Sequence, residues 1–274
     1  MKHQSDTPIR AVGVIAEYNP FHNGHAYQLK KARELSGANY CIAAISGDFV
    51  QRGGPAVFDK YTRTAMALES GADLVVELPP IFASSSAEDF ASCGVALLDA
   101  LGVVSHLCFG SESGNLEELS SVADLLADES EEYQQVLRQH LKDGYPFPQA
   151  RAAAFSFCSP KTDPELLSQP NNTLGIEYLK AIKKKNSPVT PVTIKRMGSG
   201  YHEAVISSDQ PMASATAIRA VLENRTVDDF KESNLLLASQ IPPAALNLAR
   251  TRLPLTADDF SALLSFRFLE LDRQ

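Results

Sequence analysis

Two histidines bracket an Asn-Gly pair in the stretch AEYNPFHNGH, Ala16 to His25, where a short run of strand-forming residues gives way to a helical pattern. An imidazole N–H can donate to a phosphate oxygen, and such donors stabilise the charge that builds during displacement at phosphorus. The helix that follows adds unpaired backbone N–H groups and the positive end of its dipole. Gly24 is expected to let the backbone approach a phosphate where a Cβ would collide. His22, Gly24 and His25 therefore read as a triphosphate cradle. An isolated HxGH recurs by chance, and Asn-Pro with Asn-Gly can mark no more than a turn; placement between a strand and a helix favours the cradle. A second stretch, MASATAIR, sets Ser214 and Thr216 at the start of a helix with Arg219 one turn on. Ser or Thr there is first of all an N-cap. The same hydroxyls can also bind β- and γ-phosphates, with Arg219 as the charged partner.

The elements that must position these residues follow from the apolar pattern. AVGVIAE (Ala11 to Glu17), YCIAAI (Tyr40 to Ile45), DLVVEL (Asp73 to Leu78) and VVSHLCF (Val103 to Phe109) read as strands. Their near-continuous apolar runs suit a parallel sheet covered on both faces. Helices are expected over Ala26 to Ser36, Phe58 to Ser70 and Ala87 to Leu101. From Asn115 the pattern turns helical, over Leu116 to Leu126, Glu131 to Leu141 and Gln149 to Phe157. A Pro-, Ser- and Asn-rich loop from Cys158 to Asn172 then leads to a helix over Thr173 to Lys184. A last strand, Val189 to Lys195, precedes a turn at Gly198-Ser-Gly200 and a helix over Ala215 to Glu223. The fold class expected is α/β: a Rossmann-like doubly wound parallel sheet with an inserted helical segment and a short helical C-terminal part. Residues 1–224 are expected to form the triphosphate-binding domain, with the helical insertion at about 115–186 packed on the sheet, and 225–274 a helical segment. The abrupt stop after the start of an amphipathic stretch, Asp258 to Leu271, leads us to expect a truncated or naturally shortened chain. In such sheets ligands sit beyond the carboxyl ends of the strands, at the switch in strand order, where Tyr18 to His25 falls.

With 274 residues, 44% hydrophobic and 21% charged, the chain can bury a substantial core. A net charge of −8 argues against holding nucleic acid by bulk electrostatics alone; an RNA partner needs a local basic patch or a basic segment outside this chain. Cys41, Cys93, Cys108 and Cys158 lie far apart with no metal-ligand spacing, which points to reduced thiols and to no protein-built metal site. No secretory or membrane-spanning run is visible, so a cytoplasmic location and no membrane partner are expected. Nothing specifies an oligomeric state.

GVIAEYNPFHNGH, SGDFVQRGGPAVFDKYTRTAMALESGADLVVELP, FGSESG, PNNTLGIEYLKAI, TIKRMGSGYHE and SATAIR, in this order, resemble the bacterial tRNA(Met) cytidine acetate ligase family, TmcAL, within the HxGH nucleotidyltransferases. The resemblance runs from near the N-terminus to about Arg225. It implies an enzyme that uses ATP to activate acetate as acetyl-adenylate, releasing pyrophosphate; the need to screen charge at the α-phosphorus adds Mg²⁺ as an expected cofactor. The acetyl group then passes to N4 of the wobble cytidine of elongator tRNA(Met), forming N4-acetylcytidine. It also implies an ATP site made of Ile15, Ala16, Glu17, Tyr18, Asn19, Pro20, Phe21, His22, Asn23, Gly24, His25, Ala26, Tyr27 and Gln28, with Gly110, an asparagine of PNN and Arg196. Asn171 is preferred to Asn172 for the asparagine. Each of these has a plainer reading: Gly110 as a strand-ending glycine, Asn171 and Asn172 as helix caps, Arg196 as a solvated surface arginine.

The loop SGDFVQRG, Ser46 to Gly53, follows the second strand. Asp48, Gln51, Arg52, Lys60 and Arg63 can gather carboxylate, phosphate or RNA, or form a surface ion-pair cluster. Arg52 has the fork geometry to clamp acetate and joins His22 and His25 as a candidate catalytic residue. Glu77 is expected to orient a basic residue. Tyr201-His202-Glu203 can shape the site or simply form a capped turn. His106 and Cys108 read as core packing. Lys183 to Lys185 and Lys195-Arg196 can contribute to an RNA footprint, or the lysine run can be a solvated, dipole-favoured helix end. Carboxylate activation needs positioning and charge screening rather than a triad, and none is visible. Two other functions remain open: a small-molecule adenylyltransferase of the same superfamily, and a nucleotide- or RNA-binding module without turnover.

Overall fold

The computed structural model describes residues 9–160, 163–196, 212–223 and 230–271. In chain order the elements are β1 (Ala11–Ala16), α1 (Asn23–Ser36), β2 (Tyr40–Ser46), α2 (Lys60–Glu69), β3 (Leu74–Leu78), α3 (Pro80–Ala83), α4 (Ala87–Ala100) and β4 (Val104–Ser111). Then come α5 (Leu116–Asp128), α6 (Glu131–Lys142), α7 (Phe147–Cys158), α8 (Pro170–Lys185), β5 (Thr190–Lys195), α9 (Ala215–Glu223), α10 (Phe230–Gln240), α11 (Pro243–Arg250) and α12 (Ser261–Leu271).

The strands form one parallel sheet in the order β3-β2-β1-β4-β5. The chain winds outward from β1 to β3, then returns to the other side of β1, so the switch in direction falls between β1 and β4. This is the α/β doubly wound architecture expected from the apolar runs. Side chains alternate across β1, since successive Cβ atoms point to opposite faces. Val12 and Val14 enter a core with Leu29 and Ala32 of α1, Met66 of α2, Ile218 of α9, and Leu237 and Ala245 from the C-terminal helices. Ala11 and Ile15 enter the opposite core with Phe90 of α4, Leu119 of α5 and Ile176 of α8. Of the helices from the segment after β4, α8 lies against α4, α5 and β4. A Cβ on its Gly175 would stand 2.6 Å from Phe109 Cε2, so the missing side chain is what lets α8 seat on β4.

Several boundaries differ from the expected ones for identifiable reasons. Helix α1 begins at Asn23 rather than Ala26, because the His22 side chain caps it. Strand β4 runs on to Ser111, placing Gly110 inside the strand rather than at its end. Pro79-Pro80, which follow β3 directly, open the short α3 with a proline in its first turn, where the missing N–H costs nothing. For the same reason α8 starts at Pro170, drawing Asn171 and Asn172 into its first turn instead of leaving them as caps. The turn at Gly198-Ser-Gly200 and the stretch Tyr201-His202-Glu203 lie outside the described residues. Helix α12 keeps Leu263, Phe266, Phe268 and Leu269 exposed.

Candidate active site

Beyond the end of β1 the chain turns sharply. Tyr18 takes a left-handed conformation at φ 49°, and the Asn19–Pro20 peptide is cis. A non-glycine residue held there costs on the order of 1–3 kcal/mol, and such residues cluster at functional sites. Packing holds this one: the Tyr18 ring is buried edge-on against Phe21 and His25, both centroids at 4.8 Å. The Asn19 side-chain carbonyl accepts the Val57 N–H at 2.8 Å, pinning the turn to the loop after β2.

His22 is the N-cap of α1. Its Nδ1 accepts the Gly24 N–H at 3.0 Å, while His25 Nδ1 accepts the His22 N–H at 3.3 Å, a capping box built from two imidazoles. The rings stack at 3.8 Å. Because both Nδ1 atoms accept from backbone, each neutral ring carries its proton on Nε2. Burial pushes the His22 imidazole down to about 3, helped by the positive charges of Arg196 and Arg219. Burial likewise lowers His25, with His22 and Arg196 adding to the effect. Both histidines are therefore neutral Nε2–H donors at physiological pH.

Gly24 serves this arrangement in a way not foreseen. A Cβ there would lie 2.8 Å from His22 Cε1 and 3.0 Å from its Nδ1. The space that glycine leaves is filled by the motif's own first imidazole.

A cavity of about 560 Å³ opens at the β1–β4 switch. From the first motif it is lined by Ile15, Ala16, Glu17, Tyr18, Asn19, His22, His25 and Gln28. Gly110, Asn171, Arg196, Ser214, Thr216 and Arg219 join them from β4, α8, the end of β5 and α9. Gly24 and Tyr27 line an adjoining cavity of about 70 Å³ on the other side of the histidine pair. Pro20, Phe21, Asn23 and Ala26 line neither. Phe21 is fully buried in the core, and the Asn23 side chain donates to the Ser239 carbonyl at 2.8 Å.

The two motifs are joined directly. Arg219 Nη1 donates to the Asn19 carbonyl at 2.7 Å and Nη2 to Thr216 Oγ1 at 3.1 Å, while Ser214 Oγ caps α9 by accepting the Ala217 N–H. Asn171 and Asn172, alike in sequence, divide their labour. Asn172 is fully buried and accepts the N–H groups of Glu112 and Ser113, so its side chain holds β4 to α8. Asn171 lines the cavity, donating from Nδ2 to Glu112 and accepting from Arg196 Nη1 at 3.3 Å.

The loop after β2 divides as well. Gln51 and exposed Arg52 line the cavity. Arg63, expected to be available for substrate, is fully buried and donates to the carbonyls of Phe58, Glu17, Ser46 and Gly47. It ties the ends of β1 and β2 together. Asp48 accepts the Lys60 N–H, and Glu77 holds the Lys60 ammonium at 2.8 Å. Lys183 pairs with Asp124 and Asp128, and Lys184 with Glu88, so both are already compensated. The cavity's apolar walls, Phe90, Phe109, Leu174 and Tyr178, carried no signal beyond ordinary core periodicity. Glu112, which holds Asn171, stands in the quoted FGSESG motif but was not singled out there. Among the described residues no three of His, Cys, Asp and Glu cluster to hold a metal ion, and no helix is long and apolar enough to cross a membrane.

A doubly wound sheet with an HxGH cradle at its switch and a capped Ser/Thr–Arg helix facing it defines a nucleotidyltransferase-type site. The chain belongs to the HIGH Nucleotidyl Transferase family, whose profile matches residues 9–274. It is similar to the tRNA(Met) cytidine acetate ligase of Acetivibrio thermocellus, 40% identical over 242 residues, covering 88% of this chain and 57% of the relative. The enzyme of that name from Caldanaerobacter subterraneus subsp. tengcongensis is 45% identical over 224 residues, 81% of this chain and 55% of the relative. The crystal structure of Thermotoga maritima TmcAL bound with alpha-thio ATP superposes with a TM-score of 0.82 at 38% identity, covering 94% of this chain and 60% of that one. The family resemblance read from the motifs is borne out. The chain spans little more than half the length of these curated relatives.

Proposed function

We propose that the protein activates acetate with ATP as acetyl-adenylate and transfers the acetyl group to N4 of the wobble cytidine of elongator tRNA(Met), in the cytoplasm. The observation that carries this reading is the pair of neutral imidazoles, both protonated on Nε2, lining a cavity that also receives Arg196 and Arg219. The bound alpha-thio ATP of the Thermotoga maritima enzyme supports ATP as the occupant. In this reading Ser214, Thr216 and Arg219 meet the β- and γ-phosphates, and His22 and His25 donate to oxygens that gain charge. Gly110, Asn171 and Arg196 line the side towards the α-phosphate and nucleoside. An acetate oxygen forms a bond to the α-phosphorus as the α–β bridging bond breaks and pyrophosphate leaves. The cytidine N4 then attacks the acetyl carbonyl, AMP leaves, and N4 loses a proton. Arg52 is assigned to the acetate carboxylate.

Mg²⁺ keeps several waters and binds through one or two carboxylates plus substrate phosphates. Glu17, a cavity carboxylate, fits that pattern, and the ion would screen triphosphate charge. Acetate-dependent exchange of labelled pyrophosphate into ATP tests the first half, and mass spectrometry for N4-acetylcytidine in tRNA(Met) tests the second. Exchange with a phosphorylated small molecule but not acetate would shift the reading to an adenylyltransferase. ATP binding without exchange would leave a binding module.

A further inference from the structure

The end of α10 sits far along the chain from either phosphate-binding motif, yet two adjacent residues there touch both. The Asn23 side chain, between the two histidines, donates to the Ser239 carbonyl at 2.8 Å. Gln240 Oε1 accepts the Ala213 N–H at 2.6 Å, one residue before the Ser214 cap of α9. Gln240 is only 1% exposed although it is polar, and its Nε2 reaches Ser239 Oγ at 3.1 Å. Leu237 and Ile241 on either side are buried in the core shared with β1 and α9, so this turn of helix has a fixed place against the sheet. A buried polar side chain persists where its hydrogen bonds are met, and here the side-chain oxygen is met by the backbone N–H next to Ser214.

We infer that Gln240 is a positioning residue: with the Ser239 carbonyl it forms a strut that fixes the distance between the HNGH turn and the Ser214–Thr216 turn. The inference rests on the ATP reading above. One side of the cavity is closed by Arg219 bonding the Asn19 carbonyl. The strut supplies a second tie between the same two segments, in addition to the Arg219 bond. Pre-organised donors of this kind lose their advantage when the support moves by a fraction of an ångström. Asn23, between the two histidines, is on this account a spacer to α10 and makes no nucleotide contact.

The test uses Gln240→Met, similar in length but with no acceptor, and Asn23→Ala, which removes the other tie. ATP dissociation constants are measured by titration calorimetry well below the melting temperature of every variant, where circular dichroism shows all of them folded. Kinetic constants for ATP and acetate are measured alongside. Each single variant is expected to weaken ATP binding about tenfold and leave the KM for acetate unchanged. The double variant is expected to weaken it little further, because both residues act through one strut. Asn23→Ala leaves Gln240 in place and carries the test on its own if the Met variant does not fold. Lower melting temperature with wild-type ATP affinity in Gln240→Met and Asn23→Ala would overturn the inference, leaving a merely structural bond. Wild-type protein that binds no ATP would overturn the reading on which it rests, and the inference with it.

Discussion

Replacing Gly24 with alanine separates the site from the fold more cleanly than any other single change. Gly24 is the second residue of α1 and its φ is not positive, so alanine suits the backbone there. Helix propensity alone would favour the replacement by up to about 1 kcal/mol. The added Cβ would, however, sit 2.8 Å from His22 Cε1. The His22 ring must turn away, which breaks its cap on the Gly24 N–H and its stack on His25. Losing an N-cap costs roughly 0.5–2 kcal/mol, so gain and loss nearly offset and the melting temperature should move by only a few degrees. Function has no such offset. If His22 donates to a phosphate as proposed, displacing it removes a hydrogen bond to a charged group, worth about 1.5–3 kcal/mol, which is roughly a ten- to hundredfold loss of ATP affinity. Calorimetric titration with ATP and a thermal melt on the same sample decide it. Wild-type affinity in a folded Gly24→Ala protein would refute the claim that glycine is present to admit the imidazole.

Other consequences follow from groups whose surroundings are as clear. His22 sits at about 3 when folded and near 6.5 when unfolded. The unfolded chain therefore binds the extra proton between these values, and stability should fall by about 1.4 kcal/mol per pH unit from His22 alone as pH drops below 6.5, with the lowered His25 adding to the fall. Urea midpoints at pH 7 and pH 5 would show it, and a His22 NMR titration centred near 6.5 would contradict it. Asn172→Ala should destabilise the fold by about 1–3 kcal/mol, leaving the Glu112 and Ser113 N–H groups without their partner. Asn171→Ala should leave the melt nearly unchanged and weaken ATP binding instead; matching effects of the two in both assays would show that the division is wrong. Arg63→Met should lower stability by about 3–5 kcal/mol in denaturant titration, because several buried carbonyls lose their donor together.

What could be read in advance was what is local in the chain. The β/α alternation followed from apolar runs of strand length separated by amphipathic stretches, and the placement of His22 and His25 between β1 and α1 from a motif whose parts are all within ten residues. Helix starts were missed where the capping group was unusual, as with His22, or where a proline opened the helix, as with Pro170. Sequence spacing showed that Gly24 lies next to His22 but not that its missing Cβ makes room for that ring, since the rotamer is set by the stack on His25. Arg63 looked available because arginine is rarely fully buried; only the convergence of strand ends creates four carbonyls for it to meet. Lys183 and Lys184 looked like a basic patch because their acidic partners lie on other helices, α5 and α4. Nothing in the pattern near Ser239 and Gln240 pointed to Asn23 or Ala213, whose partners are more than 25 residues distant and meet them only in the folded chain.

The net charge of −8 sits uneasily with a polyphosphate site until the charges are placed. Of the carboxylates near the site, Glu112 has one oxygen on the Asn171 N–H and side-chain amide and the other on the Asn172 N–H. It is spent on the start of α8, and its bond to Asn171 turns that residue's carbonyl oxygen towards Arg196. Glu17 has one oxygen on the Gln51 N–H. The histidines report the field that results. Arg196 and Arg219 push the His22 imidazole further down than burial alone, which means that the buried rings stand in a positive potential. A potential that disfavours a proton on His22 is the same potential that favours a phosphate beside it. The arginines that hold the imidazole down are thus the same groups that would favour an anion in the crevice.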